Sequence, residues 1–364
     1  MSTIPLYRRR LLKIGAAAAS VSLISMPRLV RAQDKPLTGK TVRLLTWADD
    51  TGTAQLKNIV APFEERTGAK VIADRTGGTS SMVAKLKAAG DRPTYDVITL
   101  SGAGATALAT AGLLAKPDHN KIPNLQDVSE KYRVGADGFA IGYLLWTNGL
   151  IYNTKTYSSP PDSYAALWNK DVAKNIFLPP ADYLESMQTV VMAARFAGGD
   201  QSNPEPGFKK LAELKDRVVM LGENPNQVAD LFRSGSLDLG GLYSPAFFPQ
   251  AVKDPSYNMS ASYAMKEGFY TQTLMTVMPR SRPGDDDAVY AFVNQTIDPV
   301  SQGKMTEDIL NGSVNSKAVL SDAARNSPYI PSPEQIAEHA TTHDDAQLAK
   351  TMSDWTRRYT EIFA

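Results

Sequence analysis

The 364-residue chain contains no cysteine and only three histidines. Without cysteine there is no disulfide, no thiolate metal site, no cysteine nucleophile and no cysteine to carry a lipid. Nothing after residue 26 approaches the run of about 20 apolar residues that a membrane-spanning helix needs. Apolar residues make up 43% of the chain and charged residues 21%, as in an ordinary soluble globular protein. At this length we expect two lobes rather than one core.

The first 32 residues have the pattern of an export signal and are excluded from the fold prediction. Arg8-Arg9-Arg10-Leu11-Leu12-Lys13 matches the twin-arginine export pattern, and Ile14–Met26 is a short, mildly apolar segment. Val30-Arg31-Ala32 supplies small residues at the cleavage positions, so we expect the exported chain to begin at Gln33. An ordinary Sec signal with an additional arginine is the alternative. Either route predicts the periplasm.

Removing this leader changes the net charge of the chain. Its six basic residues, subtracted from the 39 of the whole sequence, leave 33 basic against 38 acidic residues, a net charge of −5. A nucleic-acid partner would require a basic surface. The charge balance therefore argues against nucleic-acid binding.

Apolar strands alternate with helices over residues 42–111, which is the pattern of a parallel sheet. Ligands of such sheets lie at the carboxyl ends of the strands, where Trp47, Asp49 and Ser101 fall. Gly102–Ala107 fits the G-x-G-x-x-A dinucleotide fingerprint, but no strand leads to an acidic residue about twenty positions further on. We therefore predict a helix N-terminus whose backbone N–H groups and Ser101 hydroxyl face a cleft.

The mid-chain stretch Gly142–Asn153, GYLLWTNGLIYN, is apolar and rich in aromatic and β-branched residues, which favours a buried strand. Sequence with an α/β pattern lies on either side of it. The second part contains a strand at Leu237–Leu242 that delivers Tyr243, and a strand at Thr273–Met278 is expected to return to the first part. Trp146 faces either the hinge or the cleft.

Signatures of catalysis and of metal binding are weak. His339 and His343 are four residues apart, but the H-E-x-x-H motif requires glutamate where the chain has Ala340, so we predict a solvated pair. The chain has no G-x-S-x-G nucleophile elbow. Asp285–Asp287 lacks the spacing of a calcium loop and is typical of acids at a helix N-terminus. We therefore predict no catalytic residues, no metal and no cofactor.

Five segments follow one another along the chain. They are the aromatic-plus-acid loop Trp47–Asp50, the FEERTG sequence Phe63–Gly68, a Tyr95-Asp96-Val97 strand ending in Ser101-Gly102, the predicted crossing strand Gly142–Asn153, and Asn224–Gly235. This order resembles the periplasmic solute-binding proteins of ABC importers, and among them the spermidine/putrescine-binding family. The resemblance implies an α/β fold of the type II periplasmic binding protein kind, with two α/β lobes of mixed sheets joined by hinge strands. The implied organisation is a removed signal at 1–32, lobe 1 at 33–148, lobe 2 at 149–267, a return segment of lobe 1 at 268–332, and C-terminal helices packed on the outside at 333–364.

The predicted ligand site is a cleft between the lobes, lined by aromatic rings and a few acids. The resemblance assigns Asp182 and Glu185 to the acids that hold polyamine nitrogens, and it places Tyr243 where those proteins have tryptophan. Structural interpretations stay open for three of these residues: Trp47 as a rim or core ring, Asp182 as a helix N-cap and Glu185 as its capping-box partner. The predicted set is Trp47, Asp49, Asp50, Ser101, Gly102, Asp182, Glu185, Tyr243, Tyr270 and Gln272.

This chain departs from those binders on the returning segment, where Thr271, Gln272 and Thr273 replace a tryptophan and an aspartate. A monoamine, an amino acid or another small zwitterion therefore fits at least as well as a long diamine. We expect a monomer that captures such a solute by closure of its lobes and delivers it to permease subunits in the inner membrane. The alternatives are a sugar or a carboxylate solute, the latter held by Ser101 and the amides after Gly102, and an exported two-lobed lyase or transferase.

Overall fold

The computed structural model describes residues 35–222 and 224–364, apart from the side chains of Asp345, Ala346 and Ala349. The predicted export signal lies outside the described residues. The strands of the described part are β1 (Thr41–Trp47), β2 (Lys70–Thr76), β3 (Val97–Ser101), β4 (Val134–Gly135), β5 (Ala140–Asn153), β6 (Ile176–Leu178), β7 (Val218–Leu221), β8 (Leu239–Tyr243), β9 (Met259–Ser262), β10 (Phe269–Val277) and β11 (Ala340–Thr341).

The helices are distributed along the whole described chain. They are α1 (Asp50–Gln55), α2 (Ala61–Thr67), α3 (Thr79–Ala89), α4 (Gly102–Thr110), α5 (Glu130–Arg133), α6 (Leu184–Phe196), α7 (Glu205–Ala212), α8 (Pro225–Ser234), α9 (Pro249–Lys253), α10 (Asp286–Thr296), α11 (Pro299–Ile309), α12 (Asp322–Arg325), α13 (Pro333–His339) and α14 (Asp345–Phe363). A π-helical turn at Leu56–Val60 joins α1 to α2. None of these helices is long and apolar enough to cross a membrane.

The described strands form one mixed sheet in the order β2–β1–β3–β10–β5–β8–β6–β7, with β11 on β10, and with β4 and β9 on β5. At one end β1 is parallel to β2 and β3, and at the other end β6 is parallel to β7 and β8. The central strands are antiparallel, since β10 runs against β3 and β5, and β5 runs against β8 and β9. Two parallel α/β groups are therefore joined through antiparallel strands.

Strand β5 is the strand that links the two groups. It has 14 residues, and all of them except Trp146 are buried, as its continuous apolar sequence predicts. Up to Asn148 its partner is β10, with β4 on the other side of its first two residues, and from Gly149 onwards its partners are β8 and β9. Gly149 permits this change, because a Cβ atom there would lie 2.8 Å from the ring of Tyr263. The lobe boundaries expected at 148/149 and 267/268 stay predictions.

The C-terminal segment combines a short strand with a long helix. β11 pairs in parallel with the first two residues of β10, which the expectation of C-terminal helices alone did not include. Helix α14 then packs on α7, where the ring of Trp355 meets that of Phe208 edge-on with centroids 6.0 Å apart. The hydroxyl of Tyr359 donates to the carbonyl oxygen of Pro179 at 3.1 Å. The last helix is thus fixed to the same part of the molecule as α6 and α7.

Candidate ligand-binding site

A pocket of about 530 Å³ lies where three distant parts of the chain meet. The first is the loop between β1 and α1, the second is the segment from the end of β8 through α9, and the third is the end of α11, with a tryptophan of β5 between them. A volume of this size suits a small organic ligand. The pocket is lined by Asp49, Asp50, Thr51, Trp146, Ala246, Phe247, Pro249, Val252, Lys253, Glu307, Asp308, Ile309 and Leu310.

The first wall of the pocket carries the two adjacent aspartates that follow β1. Asp49 is the N-cap of α1, and its Oδ1 accepts hydrogen bonds from the backbone N–H groups of Thr51 (3.0 Å) and Gly52 (3.3 Å). A Cβ atom at Gly52 would lie 1.9 Å from the carbonyl oxygen of Trp47, so the tight turn requires glycine. Asp50 is exposed in the first turn of α1, where the helix dipole favours an acid. The turn therefore presents both carboxyl groups at the end of the strand.

The end of α11 adds acidic and apolar groups to the same pocket. Asp308 pairs with Lys57 at 2.8 Å and accepts a hydrogen bond from the amide of Asn58 at 2.7 Å. Burial acts to raise the pKa of Asp308, but these two hydrogen bonds outweigh it and lower the pKa below its usual value. Leu310 ends the helix with φ 53°, a left-handed conformation that is uncommon for leucine. This strained turn brings Leu310 to the pocket.

Two aromatic rings line the same pocket. Trp146 is half-buried on β5, and Phe247 follows β8; their ring centroids are 5.6 Å apart in an edge-on arrangement. The ring of Phe247 in turn contacts that of Tyr243, at 5.0 Å. The structure therefore places Trp146 at the pocket, which the sequence alone left open. Phe247, Lys253 and the end of α11 carry no sequence signal for a site.

Four of the ten predicted site residues lie on or beside β1, β3 and β10, outside the pocket lining. Trp47 is 9% exposed and stacks on Tyr143, with centroids 6.5 Å apart and planes 12° from parallel. Ser101 is the N-cap of α4 and accepts from the N–H of Gly104 at 3.3 Å, and Gly102 begins that helix. Gln272 is half-buried on β10, directly opposite Trp146 on β5. Of these four, Gln272 is the one paired with a pocket residue.

Tyr243 and Tyr270 are both fully buried. The hydroxyl of Tyr243 donates to the carbonyl oxygen of Gly222 at 3.3 Å, and burial raises the pKa of this phenol well above its ordinary value. Tyr270 lies on β10, with the guanidinium of Arg195 5.6 Å from its ring centroid and the ring of His343 5.9 Å away. Burial also raises the pKa of Tyr270, to about 12. Both phenols are therefore neutral at physiological pH.

The interpretation of Asp182 and Glu185 as a capping pair is wrong. Helix α6 begins at Leu184, and its N-cap is Tyr183, which makes no side-chain capping hydrogen bond. Asp182 is exposed in the turn before the helix. Glu185 is buried in the first turn, and its Oε1 accepts from the amide of Asn148 on β5 at 3.3 Å. Glu185 therefore links α6 to the crossing strand.

Glu185 is a buried acid with few compensating groups. Burial raises the pKa of its carboxyl group, and hydrogen bonds from its own backbone, Asn148 and Trp146 only partly offset that effect. The amide of Asn148 is shared, because it also donates to Gln188 at 2.8 Å. The pKa of Glu185 in the folded protein lies above its value of about 4.3 in the unfolded chain. The protonated carboxyl group therefore makes its full contribution to stability below about pH 4.3, and this contribution is lost as the pH rises through the folded pKa.

We expect Glu185→Gln to raise the free energy of unfolding relative to the unliganded wild type, and to do so more as the pH rises from about 4 to about 8. Glutamine keeps the shape and carries no charge, and each unit of pKa difference between the folded and unfolded protein corresponds to about 1.4 kcal/mol. Urea unfolding at several pH values measures the difference. Glu130→Gln, at an exposed position of α5, is the control. A wild-type-to-variant difference that stays constant with pH would contradict the prediction.

A mixed α/β fold with antiparallel strands joining two parallel groups, and an acidic and aromatic pocket between them, defines the class of two-lobed solute-binding proteins. The chain belongs to the bacterial extracellular solute-binding protein family, which matches residues 58–349. The family and fold class predicted from the sequence are thereby confirmed.

Proteins similar to this chain include two periplasmic binding proteins. One is the spermidine/putrescine-binding periplasmic protein 1 of Haemophilus influenzae, 26% identical over 316 residues, which cover 84% of each chain. The other is the putrescine-binding periplasmic protein SpuD of Pseudomonas aeruginosa, 25% identical over 345 residues, covering 89% of this chain and 92% of that one. A crystal structure of an ABC transporter protein from Clostridium perfringens matches the fold with a TM-score of 0.73 at 22% identity, covering 89% of this chain and 100% of the other.

Proposed function

We propose that this chain is the solute receptor of an ABC importer and that it captures a small organic molecule bearing a positively charged nitrogen. The observation that carries the proposal is the pairing of Asp49 and Asp50 with the rings of Trp146 and Phe247 around one pocket. An ammonium group donates charge-assisted hydrogen bonds to a carboxylate while its charge or its methylenes rest on a ring face. The two periplasmic relatives are a spermidine/putrescine-binding protein and a putrescine-binding protein, which supports the same ligand class.

The ligand contacts proposed from the sequence extend beyond this pocket. Trp47, Ser101, Gly102, Tyr243, Tyr270 and Gln272 remain candidates for contact when the lobes close, as do the acids Asp182 and Glu185. Support for them is indirect: the ring of Phe247 touches Tyr243, and Gln272 pairs with Trp146 across the sheet. Closure would convert such neighbours into ligand contacts that exist in the closed state alone.

The same proposal includes the cellular location of the chain and its partners. Export through the twin-arginine route would place the mature protein in the periplasm, and delivery of the solute would require permease subunits in the inner membrane. The proposed receptor works as a monomer. It performs no catalysis in this proposal, because the ten residues predicted for the site do not include a paired base and acid aimed at one substrate atom.

A thermal-shift screen of amines, amino acids, sugars and dicarboxylates tests the ligand class. Ligand at about a hundred times its dissociation constant adds roughly 2.7 kcal/mol to stability, so we expect at least one amine-bearing compound to raise the melting temperature. In that case Asp50→Asn is expected to weaken the shift, and Asp182→Asn tests the site implied by the family resemblance; circular dichroism checks that each variant is folded. If sugars or dicarboxylates alone raise the melting temperature, the cation proposal is wrong.

A further inference from the structure

Lys253 is the cationic residue among the pocket's lining residues. It is the last residue of α9 and is exposed, and its ammonium group makes no ion pair or hydrogen bond with the described residues. Lys57, by contrast, forms an ion pair with Asp308 at the end of α11 at 2.8 Å, so its charge is neutralised. Lys253 therefore brings an uncompensated positive charge to a pocket whose other charged residues are acids.

The four acids of the pocket are not equally available to a ligand. Asp49 uses Oδ1 to cap α1, Asp308 is held by Lys57 and Asn58, and Glu307 accepts from the backbone N–H of Ser321 at 2.6 Å. Asp50 has no such partner among the described residues, and it is exposed. One free carboxylate and one free ammonium thus remain at this pocket, and they have opposite sign.

These two free charges belong to different walls. Asp50 follows β1 in the first group of strands, whereas Lys253 follows β8 in the second group, and the rings of Trp146 and Phe247 line the same pocket. A ligand that contacts both walls therefore meets a negative charge on one of them, a positive charge on the other and aromatic surface in the same pocket. A diamine would bring its second ammonium towards Lys253, and like charges repel.

We propose that the solute is a zwitterion, with its ammonium group at Asp50, its carboxylate at Lys253 and its methylenes against Trp146. This inference rests on the proposed function and specifies its ligand class. Lys253 is then the residue that separates amino acids from amines and diamines of equal length. Selectivity arises in two ways: a charge-assisted hydrogen bond to the carboxylate, and repulsion of a second cation.

Isothermal titration with three matched ligand series tests this assignment. The probes are unbranched ω-amino acids with two to five methylenes, the n-alkylamines that lack the carboxylate, and the α,ω-diamines. We expect wild-type protein to bind an ω-amino acid about tenfold or more tightly than the matching amine or diamine, a difference of about 1.4 kcal/mol. Lys253→Gln is expected to remove that preference by lowering the affinity for the ω-amino acid far more than the affinity for the alkylamine, and Lys253→Glu is expected to favour the diamine.

Lys170→Gln is the matched control, because it removes the same charge at an exposed position outside the pocket lining. An equal loss of affinity for all three series in Lys253→Gln would overturn the proposal, because Lys253 would then close the pocket by pairing with Asp50 directly. A wild-type preference for amines or diamines would overturn it while leaving the proposed amine receptor intact. If no compound of the three series binds, the zwitterion assignment is wrong, and the broader amine proposal is decided separately by the thermal-shift screen.

Discussion

Phe177→Ala is expected to lower the free energy of unfolding by about 3–5 kcal/mol, the usual cost of deleting a buried phenylalanine ring. Phe177 is 0% exposed at the centre of the three-residue strand β6. Its ring centroid lies 5.8 Å from that of Phe232, 5.8 Å from that of Tyr243 and 6.4 Å from that of Phe248. Alanine would leave a cavity among rings that come from three separate segments, and a cavity of that kind collapses poorly.

Urea unfolding followed by circular dichroism measures this loss. Phe177→Leu, which fills part of the space, is expected to lose less stability than alanine. Val219→Ala on β7 serves as the control, because Val219 is 51% exposed and surface substitutions usually change stability by less than about 0.5 kcal/mol. A loss below about 1 kcal/mol in Phe177→Ala would mean that the ring cluster around Tyr243 is not close-packed.

Several of the strands were predictable because they carry their own local signal. The apolar stretch Gly142–Asn153 predicts a buried strand, and β5 covers Ala140–Asn153. Val42–Thr46 likewise lies within β1. The end of α2 has a local signal too, since Gly68 ends this helix in the left-handed conformation with φ 76°, which glycine adopts readily. Such signals depend on neighbours in sequence, so a single chain is sufficient to read them.

The composition of the pocket was not predictable in the same way. Asp49 and Glu307 are 258 positions apart in the sequence, and only the packed fold brings them to one pocket. Position 310 has a left-handed conformation that glycine usually adopts, but the residue there is leucine, so the sequence does not predict this turn. Lys253 ends a helix, where a cation is already explained by the helix dipole, so its place at the pocket leaves no separate trace in the sequence.

Tyr243 illustrates why strand ends alone do not identify a ligand contact. The sequence places it directly after an apolar strand, and in the structure it is the last residue of β8. The direction of its side chain depends on Phe177 and Phe248, which pack against it. The ring lies in that cluster, and Phe247, four positions after Tyr243, is the ring that lines the pocket. The alternation of side chains along a strand predicts which residues share a face of the sheet. It does not predict which face of the sheet borders a cleft.

Trp146→Ala is expected to have the largest effect on binding. Trp146 is the pocket-lining residue of β5, and it is half-buried where its neighbours in that strand are buried. Truncating a tryptophan at the centre of an interface commonly costs about 2–4 kcal/mol of binding free energy. The expected loss of affinity for the amine identified by the thermal-shift screen is therefore roughly 30- to 900-fold.

Isothermal titration of two further variants distinguishes a direct contact between Trp146 and the ligand from an effect of the substitution on the fold. Trp146→Phe keeps an aromatic face for the ligand's methylenes and is expected to lose less affinity than alanine. Trp47→Phe tests the ring that the sequence favoured. Trp47 stacks on Tyr143 outside the pocket lining and phenylalanine keeps an aromatic face, so this variant is expected to lose far less affinity than Trp146→Ala in spite of some loss of stability. If Trp47→Phe abolishes binding while Trp146→Ala leaves it intact, the solute binds at the end of β1 by the predicted contacts, and the pocket beside Trp146 is not its site.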